Sequence, residues 1–435
     1  MKNTSTFQIV VMIIFAVFAM VGVGFFATQK SNTDGGGGPV SIWGTLESRT
    51  MGALIGSVLG SDGVKNVSYR YFPEDSFDTS LMEALSEGRG PDIIMLSTDR
   101  ILRHREKIVT IPFESMSERS YIDAFVDGAS VFRMNNGYIG LPMLVDPIVM
   151  YWNKSIFINE GILKPPAYWD EFNSLATKLT KKDQALNIDS SFVAFGEFAN
   201  VDHAKDILSM LMLQAGSPIV TINNEGKPLN YLTYQDKNRL IPADTALRFY
   251  TEFADSSKSI YSWNRSLPSS LKAFLAGDLA IYFGYASEVT SIRKSNPNLN
   301  FDVAVVPQIR DSIEKSTYGK FTALSLLSSS KNRAGAFSVL TALTTNNALK
   351  FLVENTSFPP VGKILLSQTP TDPYMSIFYS SAIISKSWLD PNSKKTDKIF
   401  SDMVSDVTSG RLRINESIKK AYDILDVTLK DTISN

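Results

Sequence analysis

The sequence contains no cysteine and only two histidines, His104 and His203. The absence of cysteine excludes disulfides, thiolate metal sites and cysteine nucleophiles. Two histidines are too few for a histidine-rich metal centre, and a Ser-His-Asp triad would have to use one of them. We therefore expect no metal and no other cofactor in this protein.

The chain also lacks an excess of charge of either sign, because 43 basic residues balance 44 acidic ones and the net charge is -1. A nucleic acid or an anionic membrane attracts proteins that carry a strong positive charge, so we expect no nucleic-acid partner. The motifs Gly-x-Ser-x-Gly and Gly-x-x-x-x-Gly-Lys-Ser/Thr are missing. The run Gly35–Gly38 is not a phosphate loop, since it follows no strand and opens no helix.

The N-terminal residues contain one long apolar run, Ile9–Ala27, which holds 19 uncharged residues. At about 1.5 Å per residue, a helix of this length nearly spans the roughly 30 Å hydrocarbon core. Residues 25–29 offer no small-residue cleavage site of the kind that ends a secretory signal. We predict an uncleaved transmembrane signal anchor at 9–27 after a cytoplasmic segment at 1–8, with a cleaved signal as the alternative.

The glycine-rich residues 28–39 predict a flexible linker, and the folded body is expected over 40–435, on the extracellular side. The body opens with alternating apolar strands and helices, at Val40–Trp43, Met51–Leu59, Val67–Phe72, Ser80–Glu87 and Ile93–Leu96. This order predicts an α/β domain with a largely parallel sheet. Ligands of such sheets bind beyond the carboxyl ends of the strands, where the loops at 44–48 and 97–100 lie.

Further along the chain, Asp202 is a plausible cap for a helix that ends at Gly216. A short helix at Leu271–Leu275 ends at Gly277, and a strand follows at Ala280–Phe283. These elements continue the alternation of helix and strand, so the α/β class extends over the whole body.

Several motifs resemble one family when they are taken in order. The segment Phe274–Gly284, FLAGDLAIYFG, resembles the F-x-x-G-x-x-A-(apolar)-x-x-G signature of family 1 extracellular solute-binding proteins. Upstream, Gly140–Pro142, Tyr151–Lys154 and the block from Pro165 to Phe172 resemble the G-x-P, Y-N-K and P-x-T-W-E-E-F motifs of the same family. Gly88–Ile93 resembles the G-x-x-P-D-(V/I) segment that precedes an inner strand.

The resemblance implies a two-lobed periplasmic-binding-protein type II fold with its ligand between the lobes. Chain crossovers are expected near Val145-Asp146-Pro147, near Asp302–Val306 and near Phe358–Pro360. Lobe 1 is then expected at about 40–145 and 306–357, and lobe 2 at about 146–305 and 358–435. Many relatives carry a lipobox cysteine; this chain has none, so the apolar helix would be the anchor.

A sugar site needs aromatic rings for the apolar sugar faces and carboxylates or amides for the hydroxyls. Strand ends supply some candidates for it, and a loop-like stretch at residues 261–265 supplies Trp263. The resemblance suggests others at the first crossover, after the Gly284 strand and in the C-terminal helical region. The candidate ligand-binding residues are Trp43, Thr45, Glu47, Asp99, Asp146, Trp263, Tyr285 and Trp388.

The resemblance implies a binding protein, not an enzyme, that captures a mono- or oligosaccharide as a monomer and delivers it to an ABC permease. Two alternatives stay open at this point. One is a tethered sensor or interaction domain that has kept the fold without transport. The other is a carboxylate-dependent glycosidase, for which Asp146 and Glu47 could in principle form the carboxylate pair. The sequence does not name the ligand.

Overall fold

A computed structural model describes residues 38–185, 187–223 and 225–434. The chain divides into two compact units. Within the described residues, unit 1 comprises 38–145, Phe321–Thr356 and Pro360–Gln368, and unit 2 comprises Asp146–Lys320, Ser357–Pro359 and the chain from Thr369 onward. The predicted anchor at 9–27 and most of the linker lie outside the described residues. Within the described part of the chain, no helix is long and apolar enough to cross a membrane.

Unit 1 is an α/β unit, as its opening pattern of strands and helices predicts. Its first three strands are Val40–Gly44, Val67–Tyr71 and Ile93–Ser97. Short strands follow at Ile111–Pro112, Arg133–Met134 and Gly137–Tyr138. Its helices are Ser48–Asn66, Glu74–Ser86, Ile101–His104, Glu118–Ala124, Arg333–Leu343, Asn346–Asn355 and Lys363–Leu366.

The sheet of unit 1 is parallel in its first part and antiparallel at one strand. Val40–Gly44 pairs in parallel with both Val67–Tyr71 and Ile93–Ser97. Residues Thr322–Leu326 then pair antiparallel with Ile93–Ser97. All five residues of Ile93–Ser97 are buried, which is why this inner strand reads as a continuous apolar run.

Unit 2 surrounds the strand Leu279–Tyr285. Two long strands are shared between the units. Leu141–Asn153 belongs to unit 2 from Asp146 onward, and Thr317–Leu326 belongs to unit 2 up to Lys320. The other strands are Lys181–Lys182, Ile188–Val193, Val220–Ile222, Pro228–Asn230, Phe301–Ala304 and Ser385–Lys386. The helices are Lys154–Asn159, Phe172–Leu179, Ala204–Ala215, Pro242–Thr251, Ser270–Ala276, Val289–Ser295, Pro373–Ile383, Ser393–Thr408 and Ile414–Ser434.

The strand Leu279–Tyr285 is buried along its whole length and orders the sheet of unit 2. It pairs antiparallel with Ile148–Trp152 on one side. On the other side it pairs in parallel with residues of Ile188–Val193. Because its first residues are locked between two neighbours, its last residue, Tyr285, is held in a defined place at the strand end.

Local sequence signals explain where several of these helices begin and end. Asn153 caps the helix Lys154–Asn159, since its side-chain oxygen accepts hydrogen bonds from the backbone N–H groups of Ser155 and Ile156 at 3.0 and 3.3 Å. Gly216 and Gly277 follow the helices Ala204–Ala215 and Ser270–Ala276 with φ of 101° and 89°, the left-handed geometry that glycine adopts readily.

The structure corrects the expectation for Asp202. This residue does not cap the helix Ala204–Ala215, which His203 precedes in a left-handed conformation (φ 58°). The Asp202 carboxylate instead accepts hydrogen bonds from the Ser270 hydroxyl at 2.9 Å and from the Leu271 N–H at 2.8 Å. It therefore stabilises the start of the helix Ser270–Ala276, which begins 68 residues downstream.

The unit boundaries differ from the expected crossovers at one position. The first boundary lies between Val145 and Asp146. The second was expected near Asp302–Val306, but unit 2 continues to Lys320. The reason is that Gln308 is tied within unit 2 by backbone bonds to Ala167 and Trp169, and Thr317 pairs with Ser385. In the third region, 357–359 belong to unit 2 and 360–368 return to unit 1.

Candidate functional site

Tyr285 is the centre of a polar cluster in unit 2, where the strand Leu279–Tyr285 ends. Its side chain is 8% exposed, and its hydroxyl donates a hydrogen bond to Asp206 at 2.8 Å. Its backbone carbonyl accepts a hydrogen bond from the Tyr151 hydroxyl at 2.7 Å. The Lys320 ammonium lies 5.9 Å from the ring centroid. Burial, followed by the negative charge of Asp206, raises the pKa of Tyr285, so the hydroxyl stays protonated and donates.

Glu288 organises the turn that follows this strand. One carboxylate oxygen accepts the Tyr285 backbone N–H at 3.1 Å, and the other accepts the Tyr282 hydroxyl at 2.7 Å. The same carboxylate lies 2.6 Å from Nε2 of His203. A side chain on Gly284 would approach Glu288 Oε2 to 2.9 Å and the Tyr282 ring to 2.5 Å. The last glycine of the FLAGDLAIYFG motif therefore leaves room for Glu288.

His203 joins the cluster from the beginning of the helix Ala204–Ala215. Its ring packs edge-on against Tyr285, with centroids 4.9 Å apart, and its side chain is 28% exposed. Burial alone would lower the pKa of His203, but the hydrogen bond and charge of Glu288 outweigh it and raise the pKa above its usual value. The positive φ of His203 is uncommon for a non-glycine residue, and such strain concentrates at functional sites.

Asp146 lies at the first residue of unit 2 and binds the turn Ala286–Glu288. Its two oxygens accept hydrogen bonds from the Ser287 N–H at 3.1 Å and from the Ser287 hydroxyl at 2.6 Å. Burial raises the pKa of Asp146 to about 7, although the Ser287 bonds oppose the rise. The group therefore changes charge near neutral pH, and its carboxylate oxygens keep lone pairs for a further donor.

The cluster combines an aromatic ring with several half-buried polar groups. Its members are Asp146, Asp206, Tyr285, Ser287, Glu288, His203 and Lys320; all of them except the buried Tyr285 are partly exposed. Such a set can accept hydroxyl protons and can donate to hydroxyl oxygens. Among the described residues, no group of three or more histidine, aspartate or glutamate side chains is arranged to hold a metal ion.

Two predicted tryptophans of unit 2 pack in its interior. Trp263 is 1% exposed, and its indole N–H donates to Asn200 at 3.2 Å. Trp388 is 2% exposed, donates to the Ser209 hydroxyl at 3.1 Å and stacks on Phe400 with centroids 6.0 Å apart. Neither ring presents a face to solvent. The geometry therefore favours a packing role over ligand stacking for both, because their faces and donors are already used.

The remaining candidates belong to unit 1. Trp43 is buried, with its ring 4.6 Å from that of Phe72 and under the guanidinium of Arg70 at 5.2 Å. Thr45 is half-buried and Glu47 is exposed, directly after the strand Val40–Gly44. Of this group, Thr45 and Glu47 keep the accessibility that a ligand contact requires.

Asp99 lies at the carboxyl end of the strand Ile93–Ser97 and forms a short hydrogen bond with the Ser97 hydroxyl. Next to it, the buried guanidinium of Arg100 bonds Ser97 at 3.0 Å and pairs with Glu74 at 2.7 Å. Arg100 thus fixes the loop after this strand, and Asp99 remains half-buried at its edge.

Sequence reasoning found Asp146 and Tyr285, which the structure brings into one cluster. It missed His203, Asp206 and Glu288. Glu288 stands three residues after Tyr285, the spacing at which a glutamate accepts a backbone N–H at the start of a helix, so this signal was available. His203 and Asp206 approach Tyr285 only through the packing of a distant helix, which no local pattern reports.

A profile of the bacterial extracellular solute-binding protein family matches residues 63–350, more than half of the 435-residue chain. The chain belongs to this family. Tyr285 and the cluster around it follow the FLAGDLAIYFG motif inside the matched region. The proteins of this family bind solutes.

Curated relatives of this solute-binding protein are distant. A Brucella abortus protein named as a binding protein is 23% identical over 302 residues, which cover 68% of this chain and 69% of the relative. A Brucella suis protein, also named as a binding protein, matches with the same identity and coverage.

Solved structures share the fold at still lower identity. A cyclo/maltodextrin-binding protein in complex with maltotetraose is 17% identical, with a TM-score of 0.70, and the match covers 93% of this chain and 99% of that one. The cyclic alpha-maltosyl-1,6-maltose binding protein of Arthrobacter globiformis is 15% identical, with a TM-score of 0.73 over 91% and 100%. UgpB of Mycobacterium tuberculosis, in complex with glycerophosphocholine, is 16% identical, with a TM-score of 0.69 over 91% and 99%.

Proposed function

We propose that this protein captures a mono- or oligosaccharide outside the cell and delivers it to an ABC permease. In this proposal the solute is bound and released without chemical change. The cluster around Tyr285 carries the proposal, because it gathers half-buried acceptors and donors beside an aromatic ring.

The chemistry of the cluster suits a polyhydroxyl ligand. Asp146 and Asp206 are acceptors for sugar hydroxyls, and Lys320 and Ser287 are donors for hydroxyl or ring oxygens. Each side chain already has a partner in the cluster, so its orientation is set before a ligand arrives, which lowers the entropic cost of binding. From unit 1, Thr45, Glu47 and Asp99 stay candidate contacts.

The related structures supply a second line of support. Two of the three proteins named above carry maltodextrin-type sugars in their names, and we extend that ligand class to this chain as a proposal. The third was solved with glycerophosphocholine, a polyol phosphodiester, and this compound is therefore the natural competitor in any ligand screen.

Anchoring and transport complete the proposal. The 19-residue apolar run at 9–27 would hold the protein in the membrane, with the body at 40–435 outside the cell. Tethering near the membrane keeps the binding protein at a high effective concentration beside its permease. Washing membranes at high salt should leave the native protein in the pellet with its own N-terminus. A freely soluble form that begins near Gln29 would refute the anchor.

The ligand class is tested by a thermal-shift screen of the full chain in a non-glycosidic detergent. Maltotetraose, maltose, simple hexoses, polyols and glycerophosphocholine are compared at equal concentrations. A ligand present at 100 times its Kd should stabilise the folded protein by about 2.7 kcal/mol. We expect the largest shift with a sugar, and the product after overnight incubation should be unchanged sugar. A shift with glycerophosphocholine alone would replace the sugar proposal, and hydrolysis of a glycoside would contradict the binding role.

A further inference from the structure

The side chains of His203 and Glu288 both contact Tyr285 and also pair with each other. Glu288 accepts the Tyr285 backbone N–H at 3.1 Å, and His203 packs edge-on against the Tyr285 ring at 4.9 Å. The two partners lie 2.6 Å apart, which is short enough for a charge-assisted hydrogen bond. Glu288 also caps the turn Ala286–Glu288 through the same N–H, and the feature that the two side chains share is their contact with Tyr285.

Two further observations separate this pair from an ordinary surface ion pair. His203 adopts a left-handed backbone conformation with φ 58° and ψ 26°, which directs its ring toward the strand end. The Glu288 carboxylate also receives the Tyr282 hydroxyl, so it collects three donors from three different positions of unit 2. The side chains of His203 and Glu288 are only 28% and 18% exposed, which limits screening by solvent.

We propose that His203 and Glu288 are positioning residues that hold Tyr285 for the solute, and that the proton on His203 controls this arrangement. The proposal rests on the proposed function, because it assigns Tyr285 to solute binding. It adds a pH dependence: the solute is held more tightly in mildly acidic medium than in alkaline medium.

The direction follows from the charges that face His203. Most of the titratable groups around His203 are acidic. Asp202 and Asp206 lie beside it in sequence, and Glu288 and Tyr285 lie at the strand end. Farther out are Tyr282, next to Glu288, and Asp146 and Lys320, on the strands Leu141–Asn153 and Thr317–Leu326. A protonated His203 neutralises Glu288, which leaves Asp206 and Asp146 as acceptors for solute hydroxyls. A neutral His203 leaves Glu288 to repel both of them.

A bound solute strengthens the attraction between protonated His203 and Glu288. Displacing water from a half-buried ion pair lowers the local dielectric and increases the attraction between the partners. His203 then holds its proton more firmly in the bound state than in the free state. By linkage, the affinity must fall as the pH rises through the titration of His203, by about tenfold for each unit of difference between the two states. We expect a loss of about 3- to 10-fold between pH 6 and pH 8.5.

The test uses the two-histidine composition of the chain. The full protein, labelled with ¹³C in histidine and tyrosine rings and held in a non-glycosidic detergent, is titrated by NMR from pH 5 to pH 9. His203→Gln and Tyr285→Phe assign the two rings, and Glu288→Gln removes the charge of the partner. Glu314→Gln is the matched control, since Glu314 forms an exposed ion pair with Lys386 at 2.8 Å in the same unit.

We expect the Tyr285 resonances to titrate with the same midpoint as His203 in the native protein and in Glu314→Gln. In Glu288→Gln the His203 midpoint should fall, and in His203→Gln the Tyr285 titration should shrink to the part that the charge of Asp146 causes. Tyr285 resonances that stay constant over this range, or that titrate unchanged in His203→Gln, would overturn the proposal.

Calorimetric titration with maltotetraose gives the functional arm. The native protein should bind about 3- to 10-fold more weakly at pH 8.5 than at pH 6, and this ratio should be clearly smaller in His203→Gln, in which only the Asp146 carboxyl of the cluster still changes charge near neutral pH. A native affinity that does not change with pH would overturn the positioning role even if the rings are coupled. Failure of every sugar in the screen to bind, with the Tyr285 titration intact, would count against the proposed function and not against the pair.

Discussion

Asp146 offers a stability measurement whose size follows from its surroundings. Burial raises its pKa from an ordinary 3.8 to about 7. The unfolded chain therefore loses this proton at a lower pH than the folded protein does. Stability falls as the pH rises from about 4 to about 7, and the full penalty applies above that range. A difference of roughly three pKa units corresponds to about 4 kcal/mol, an upper value because Asp146 is partly exposed.

The perturbation is Asp146→Asn, which keeps the shape and removes the charge. The amide oxygen can still accept the Ser287 N–H, and the Ser287 hydroxyl can turn to accept from the amide. Any cost of that rearrangement is the same at every pH and cancels in the comparison. The free energy of unfolding of the variant, relative to that of the native protein, should therefore rise by about 2–4 kcal/mol between pH 4 and pH 8.

The assay is urea denaturation at pH 4, 6 and 8, followed by the fluorescence of the buried tryptophans. Asp189→Asn is the matched control, because Asp189 is exposed on the strand Ile188–Val193 of the same unit. The free energy of unfolding of Asp189→Asn should differ from that of the native protein by a small amount that is the same at all three pH values. A constant difference for Asp146→Asn as well, or one that shrinks as the pH rises, would refute the conclusion that the folded protein disfavours ionisation of the Asp146 carboxyl.

Substitutions at three other positions test the packing around the candidate site. Trp388→Ala should lower the free energy of unfolding by about 3–5 kcal/mol, because it empties a buried position, and Trp388→Phe should lower it less. A loss of sugar affinity without a loss of stability would instead indicate that Trp388 contacts the ligand. Lys205→Met should lower the free energy of unfolding, measured by urea denaturation, by about 3–5 kcal/mol. The reason is that the buried Asp390 carboxylate, 3.0 Å from the Lys205 ammonium in the native protein, loses its cation. An unchanged denaturation midpoint would contradict the importance of this pair. Gly284→Ala should displace Glu288 and abolish the shared titration of His203 and Tyr285 while retaining the circular dichroism of the native fold; an intact titration would show that Glu288 tolerates the added methyl group.

The sequence determined the parts of this protein that depend on neighbours along the chain. Apolar runs and helix caps placed the strands Ile93–Ser97 and Leu279–Tyr285 and the helix ends at Gly216 and Gly277, because burial of a strand and closure of a helix leave local signals. The ordered motifs, above all FLAGDLAIYFG, also identified the family. The same motif led to Tyr285, since it ends one residue before that side chain.

Tertiary structure alone decided what surrounds each side chain. The sequence predicts Trp263 and Trp388 as stacking rings, yet both are buried, and their indole N–H groups donate to Asn200 and Ser209, which lie 63 and 179 residues away in the chain. Asp202 caps a helix that begins 68 residues downstream. The chain remains part of unit 2 up to Lys320. His203 and Asp206 come to Tyr285 from a position about 80 residues upstream. Contacts of this range depend on how whole elements pack, and a pattern that repeats every two to four residues carries no record of them.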